Sequence, residues 1–173
     1  MTFWKNFFTT FDSSCANDSN LSAQLIADIN YEKGHLYIYS SNKSNFNLDE
    51  LESLCESVGW IKRPPKRVEL ALENSFLTIV IFYKELEKNQ MIGFGRATSD
   101  HTFHATIWDL VISPKFQGKG LGKLLMGHMI EELRKLNIST IALFADSNVV
   151  EFYERLGFIA DPNRARGMFW YPK

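Results

Sequence analysis

Long apolar runs are missing from this chain of 173 residues. No window approaches eighteen consecutive apolar residues, which excludes a transmembrane helix. Cysteine is scarce, with only Cys15 and Cys55 and no CxxC spacing. Neither a disulfide framework nor a zinc site is indicated, and a reducing compartment fits best. A positive charge excess is also lacking: the formal net charge is -1 with 23% charged residues. No global field attracts nucleic acid or an anionic membrane. The start, "MTFWKNFFTTF", has neither the continuous apolar segment and small-residue cleavage site of a secretory signal nor the arginines of a transit peptide.

What is present is ample material for one core: 45% hydrophobic and 14% aromatic residues over a length typical of a single domain. Residues 1–30 include "DSSCANDSNLS", polar and turn-rich, and read as an arm that packs on the domain or on a partner chain, a weak membrane contact of the aromatic start being the other reading. The domain is expected over 31–173. "HLYIYSSN" alternates as a strand, and "LDELESLCESVGW" spaces Leu48, Leu51, Leu54, Cys55 and Val58 as a helix ended by Gly59. Cys55 is expected as a small core hydrophobe. A second short helix starts at Pro64–Pro65. "SFLTIVIFYKE" and "MIGFGRATS" form a hairpin around "KELEKNQ", and "HATIWDLVISP" is a further strand closed by Pro114. A helix of about five turns follows, with Leu124, Leu125, Met129, Ile130 and Leu133 on one face. "STIALFAD" predicts a strand, "NVVEFYERLGF" a helix ended by Gly157, and "GMFWYP" a last strand. The expected class is α/β (α+β), a mixed, mainly antiparallel sheet flanked by helices.

"SPKFQGKGLGKLL" carries three glycines and two lysines between Gly118 and Lys123. An NTP loop requires GxxxxGK followed by Ser or Thr, but Lys123 precedes Leu124 and no glycine stands five positions before Gly122. A dinucleotide turn needs GxGxxG in the first strand-to-helix connection, whereas Gly118, Gly120 and Gly122 are spaced GxGxG two thirds along the chain. A third reading fits. Gln117, Gly118, Lys119, Gly120, Leu121, Gly122 and Lys123 lie at a helix start, where backbone N–H groups and the helix dipole make an anion site. Glycines admit a diphosphate against the main chain, and coenzyme A carries one.

"LVISPKFQGKGLGKLL" resembles motif A of the GCN5-related N-acetyltransferases (GNAT), with its (Gln/Arg)-x-x-Gly-x-(Gly/Ala) signature, and "FYERLGF" resembles the downstream helix with its tyrosine. "LDELESLCESVGWIKRPPKRVELALENSF", "ATIWDLVISP", "VVEFYERLGF" and "GMFWYP" further resemble the acetyltransferases of plant chloroplasts, cyanobacteria and algal plastid genomes. Plant members of that group are linked to serotonin N-acetylation and to protein lysine and N-terminal acetylation. The resemblance implies a GNAT-like sheet, acetyl-CoA as co-substrate, a primary amine acceptor, and a location in the plastid, or in the cytoplasm for a cyanobacterial chain. A plastid-encoded chain needs no transit peptide.

The resemblance implies site residues too. Main-chain N–H groups of Leu110, Val111 and Ile112 match those that bond the pantetheine arm and the thioester oxygen, although all three also suit a core strand. Tyr153 matches the tyrosine that protonates the leaving thiolate, and a phenol stays protonated at neutral pH. Asp109 and Asp146 are the candidate bases. Asp109 sits inside the apolar strand "TIWDLVI", where a carboxylate must be paired, lie in a cleft, or work, so an arginine partner is the other reading. Asp146 is alternatively a helix N-cap. Ser147 and Asn148 cap the Tyr153 helix or touch the pantetheine. His35, His101, His104 and His128 show no ligand spacing, so no metal is expected, although His104 is a candidate to approach the substrate. "VGWIKRPPKR" is a solvated basic face, or shapes an aromatic amine pocket through Trp60 or binds an acidic peptide. Against the enzyme stands a coenzyme A-binding regulatory or scaffold module without turnover, for which Tyr153 has no use.

Overall fold

The computed structural model describes residues 23–41, 47–162 and 167–171. Two compact units divide between Ala142 and Leu143, inside the stretch expected as one domain. The first unit holds nearly all of a six-stranded sheet in the order β1-β2-β3-β4-β5-β6. Its strands are β1 (Gln24–Tyr31), β2 (Gly34–Ser41), β3 (Leu77–Glu85), β4 (Lys88–Ser99), β5 (His104–Ile112) and β6 (Thr140–Leu143). The pairs from β1 to β5 are all antiparallel. Tight connections at Glu32–Lys33 and Leu86–Glu87 join β1 to β2 and β3 to β4, since Tyr31 pairs Gly34 and Glu85 pairs Lys88.

Helices cover both faces. α1 (Leu48–Ser57) starts where the Asn47 side chain accepts the Asp49 and Glu50 N–H groups, and α2 (Pro65–Glu73) has proline in its first turn. Leu51, Leu54 and Cys55 of α1 and Leu72 of α2 pack with Val80, Met91, Phe94 and Val111 of the sheet. α3 (Leu121–Lys135) covers the other face, and Leu125, Met126, Met129 and Leu133 are fully buried. Each such side chain contributes about 1.5–3 kcal/mol by leaving water. Burial of Cys55 pushes its thiol up from its ordinary range, as befits a core residue. Cys15 lies outside the described residues.

Several sequence expectations need correction. The sheet begins at Gln24, within the segment read as an arm, because "QLIADINY" pairs with β2 along its length. It is an edge strand with no fully buried residue, and its half-buried Ala27, Ile29 and Tyr31 alternate with exposed Asp28 and Asn30, a short strand pattern that was overlooked next to the polar stretch before it. Residues 1–22, the greater part of that arm, lie outside the described residues. α3 has 15 residues, nearer four turns than five. β6 stops at Leu143 rather than running through "FAD". In the second unit the expected Tyr153 helix is a 3-10 turn, Ser147–Val149, followed by α4 (Val150–Glu154). Gly167–Tyr171 has no regular structure where a last strand was expected. Met168, Phe169, Trp170 and Tyr171 are exposed there, and aromatic β-propensity supplies no pairing partner by itself.

Candidate active site

β5 carries a bulge. The β4–β5 register passes from Phe94↔Val111 to Arg96↔Trp108, so Asp109 and Leu110 stand opposite Gly95 alone. Asp109 has φ 54°, a left-handed conformation that costs a residue with a Cβ about 1–2 kcal/mol. The extra residue also breaks the alternation of faces. Trp108 Nε1 donates to Thr98 Oγ1 at 3.0 Å, and the next residue, Asp109, still reaches Arg96 on the same face of β4. Arg96 Nε donates to Asp109 Oδ2 at 2.6 Å, and Arg63 Nη1 lies 3.1 and 3.2 Å from the two oxygens. Asp109 is therefore paired, the arginine-partner reading of its place in an apolar strand. Arg63 belongs to the basic run between α1 and α2, whereas Arg96 was not singled out. Its signal was a charge in the apolar strand "MIGFGRATS", the counterpart of Asp109 in "TIWDLVI".

Beyond the bulge, β5 ends at Ile112, and a 3-10 turn, Pro114–Phe116, leads into the glycine loop. Gln117 Nε2 donates to the Ile112 carbonyl at 2.9 Å, tying the loop to the end of β5. Gly118 and Gly120 have φ 73° and 84°, and Gly120 is the N-cap of α3. The N–H groups of Leu121 and Gly122 open that helix and have no carbonyl of their own helix to meet. Lys119 Nζ meets Glu32 Oε1 at 2.9 Å and lies 5.5 Å from the Phe116 ring centre. The Glu32 hydrogen bond raises the Lys119 pKa. The loop thus gathers a helix N-terminus, a fixed cation and Lys123 at the end of β5. Glu32, in the β1–β2 turn, was missed because its strand was missed.

In the second unit, Tyr153 on α4 is half-buried, with edge contacts to Phe152 and Phe158 at 5.0 and 5.9 Å between ring centres. Burial, and then the Asp146 charge, raise its pKa, so the phenol is protonated at neutral pH. Asp146 stands at the N-cap of the 3-10 turn, where its carbonyl accepts the Val149 N–H at 3.0 Å but its carboxylate makes no capping bond. Asn148 lies in that turn.

Trp60, Lys62, Arg63 and Glu52 line a small pocket between α1 and α2. Lys62 Nζ holds Glu52 Oε2 at 3.0 Å, while the buried Oε1 has no hydrogen-bond partner. The histidines stand apart: His104 pairs with Asp100 at 3.0 Å, His35 with Asp28 at 3.1 Å, and His101 packs edge-on against Phe76. Among the described residues, no group of three or more His, Cys, Asp or Glu is placed to hold a metal ion. No described helix is long and apolar enough to cross a membrane.

β5 thus carries its bulge toward a glycine-rich loop at a helix N-terminus, a geometry suited to an anionic group such as a phosphate. Residues 46–158 match the Acetyltransferase (GNAT) family. The whole chain is 49% identical to the whole of an uncharacterized N-acetyltransferase, ycf52, of Pyropia yezoensis. Over 90% of its length it is 37% identical to a chloroplastic GCN5-related N-acetyltransferase 2 of Arabidopsis thaliana, of which it covers 63%. Among solved structures, an aminoglycoside N-acetyltransferase in complex with CoA superposes with a TM-score of 0.62 at 16% identity, over 84% of this chain and 99% of that one. The chain belongs to the GNAT family and is an acetyltransferase.

Proposed function

We propose that the protein transfers acetyl directly from acetyl-CoA to a primary amine, an arylalkylamine such as serotonin or a protein lysine or N-terminal amine. The observation that carries this reading is the continuity of the bulged strand β5, through the turn at Pro114–Phe116, with the loop of residues 117–123 at the N-terminus of α3. The loop residues Gln117, Gly118, Lys119, Gly120, Leu121, Gly122 and Lys123 suit the coenzyme diphosphate. Leu110, Val111 and Ile112 suit the pantetheine arm and the thioester carbonyl, whose developing oxyanion backbone N–H groups stabilise. Asn148 is a further candidate contact to the pantetheine.

The chemistry needs three proton and charge events. The acceptor ammonium loses a proton, the amine nitrogen attacks the thioester carbon, and the C–S bond breaks as the sulfur takes up a proton. Tyr153 is assigned the last step, because its raised pKa keeps the hydroxyl proton available. Asp146 is assigned the first, through water, because it is an acid beside Tyr153 without a capping bond. The pocket at Trp60, with an unpartnered Glu52 oxygen, supports an amine-bearing acceptor with an apolar body. The plastid names among the relatives support a plastid location, and an assembly of two copies through the N-terminal arm belongs to the same reading.

Thiol release from acetyl-CoA tests the proposal against a panel of serotonin, tryptamine, polyamines and lysine peptides. Saturable release with at least one acceptor is expected. Coenzyme binding with no turnover on any of them favours the regulatory module instead.

A further inference from the structure

Asp109 occupies a conformation that residues with a Cβ avoid, at a point where the sheet loses its register. Something must hold it there. Gly95 faces the bulge from β4, and a Cβ at that position would come within 3.0 Å of Met129 Cε and 3.1 Å of Leu110 Cδ1. The α3 face therefore closes tightly under Leu110, and a carboxylate turned toward it would enter apolar packing. The bulge sends the carboxylate to the opposite face. There Arg96, on the neighbouring strand, and Arg63, 46 residues away in the α1–α2 connection, grip it from two directions. Both Asp109 and Arg96 side chains are mostly buried, at 18% and 15% exposure, where a lost partner leaves an uncompensated charge. Arg63 is more exposed, at 41%, and its hold is the weaker one.

We infer that Asp109 is a positioning residue, a brace clamped by Arg96 and Arg63 that sets the bulge and so aims the Leu110–Ile112 main chain at the thioester. The inference rests on the acetyl-transfer reading for its purpose and on the geometry for its existence. It removes Asp109 from the candidate bases, because its two oxygens already accept from guanidinium groups. It also links the segment bearing Trp60 to the coenzyme strand, since Arg63 lies three residues beyond Trp60.

The test combines kinetics with a readout independent of turnover. Asp109→Asn, Asp109→Gly and Arg96→Ala are each expected to speed amide hydrogen exchange at Leu110–Ile112 and to lower kcat by about 10- to 100-fold. Each keeps the acid limb of the kcat/KM pH profile, and Arg96→Lys partly restores the rate. Asp109→Gly guards against mere misfolding, because glycine accepts the left-handed conformation without strain and lacks only the brace. The Asp109→Asn, Arg96→Ala double variant is no slower than the worse single one, since both remove one interaction. Wild-type rates and exchange in Asp109→Gly overturn the inference. Loss of the acid limb in Asp109→Asn, with Arg96→Ala normal, overturns it in favour of the base. If the wild-type protein turns over no acceptor, the acetyl-transfer reading fails, and unchanged exchange in the variants still decides against the brace.

Discussion

At the scale of single residues, Tyr153 and Asp109 show how differently two singled-out groups depend on context. A phenol keeps its proton at neutral pH by itself, and burial among Phe152 and Phe158, with the Asp146 charge from the turn before α4, only raises its pKa further. Its state was legible from "FYERLGF". The partners of Asp109 were not, because a strand sequence carries no record of which residue lies opposite. Tyr153→Phe keeps the ring and its edge contacts but removes the proton. We expect kcat to fall about 100-fold or more while the KM for acetyl-CoA changes less than about twofold. Steady-state kinetics decide it, and an unchanged kcat would remove Tyr153 from the general-acid role.

Among the elements, helices declared themselves by apolar residues every three or four positions, and α1, α2 and α3 lie close to where that periodicity puts them. β1 was missed although Ala27, Ile29 and Tyr31 alternate with Asp28 and Asn30, because the run is short, only half-buried and follows a polar stretch, and "GMFWYP" misled because propensity is not pairing. The geometry of the glycine loop is local, set by the left-handed Gly118 and Gly120 and the opening turn of α3, and that geometry is what the proposed anion site rests on. Gly120→Glu strains that N-cap and puts a carboxylate where the diphosphate is expected. Calorimetric titration should show coenzyme A affinity falling by about 100-fold, since opposed like charges cost several kcal/mol. Wild-type affinity would mean that the loop is not the cradle.

For the molecule as a whole, stability should depend on pH through His128, a largely buried imidazole on α3. Desolvation lowers its pKa below the ordinary 6.5, and Glu131 and Glu132 offset this only in part. The unfolded chain therefore binds more protons than the folded one once the pH drops through 6.5. Stability is full above that value and declines below it, toward the depressed folded pKa. Thermal melts of wild-type and His128→Gln protein between pH 7.5 and about 5 should diverge, the variant losing less; parallel losses would exclude His128 as the cause. The sequence alone determined the helical layers and the place of the glycine loop at a helix start, because short-range spacing encodes those features within a few turns of chain, and its motifs carried the family resemblance. Only the tertiary structure decided which residues Asp109 meets. Its partners lie 13 and 46 residues away, and strand register, a one-residue bulge and the packing of α3 brought them to one face.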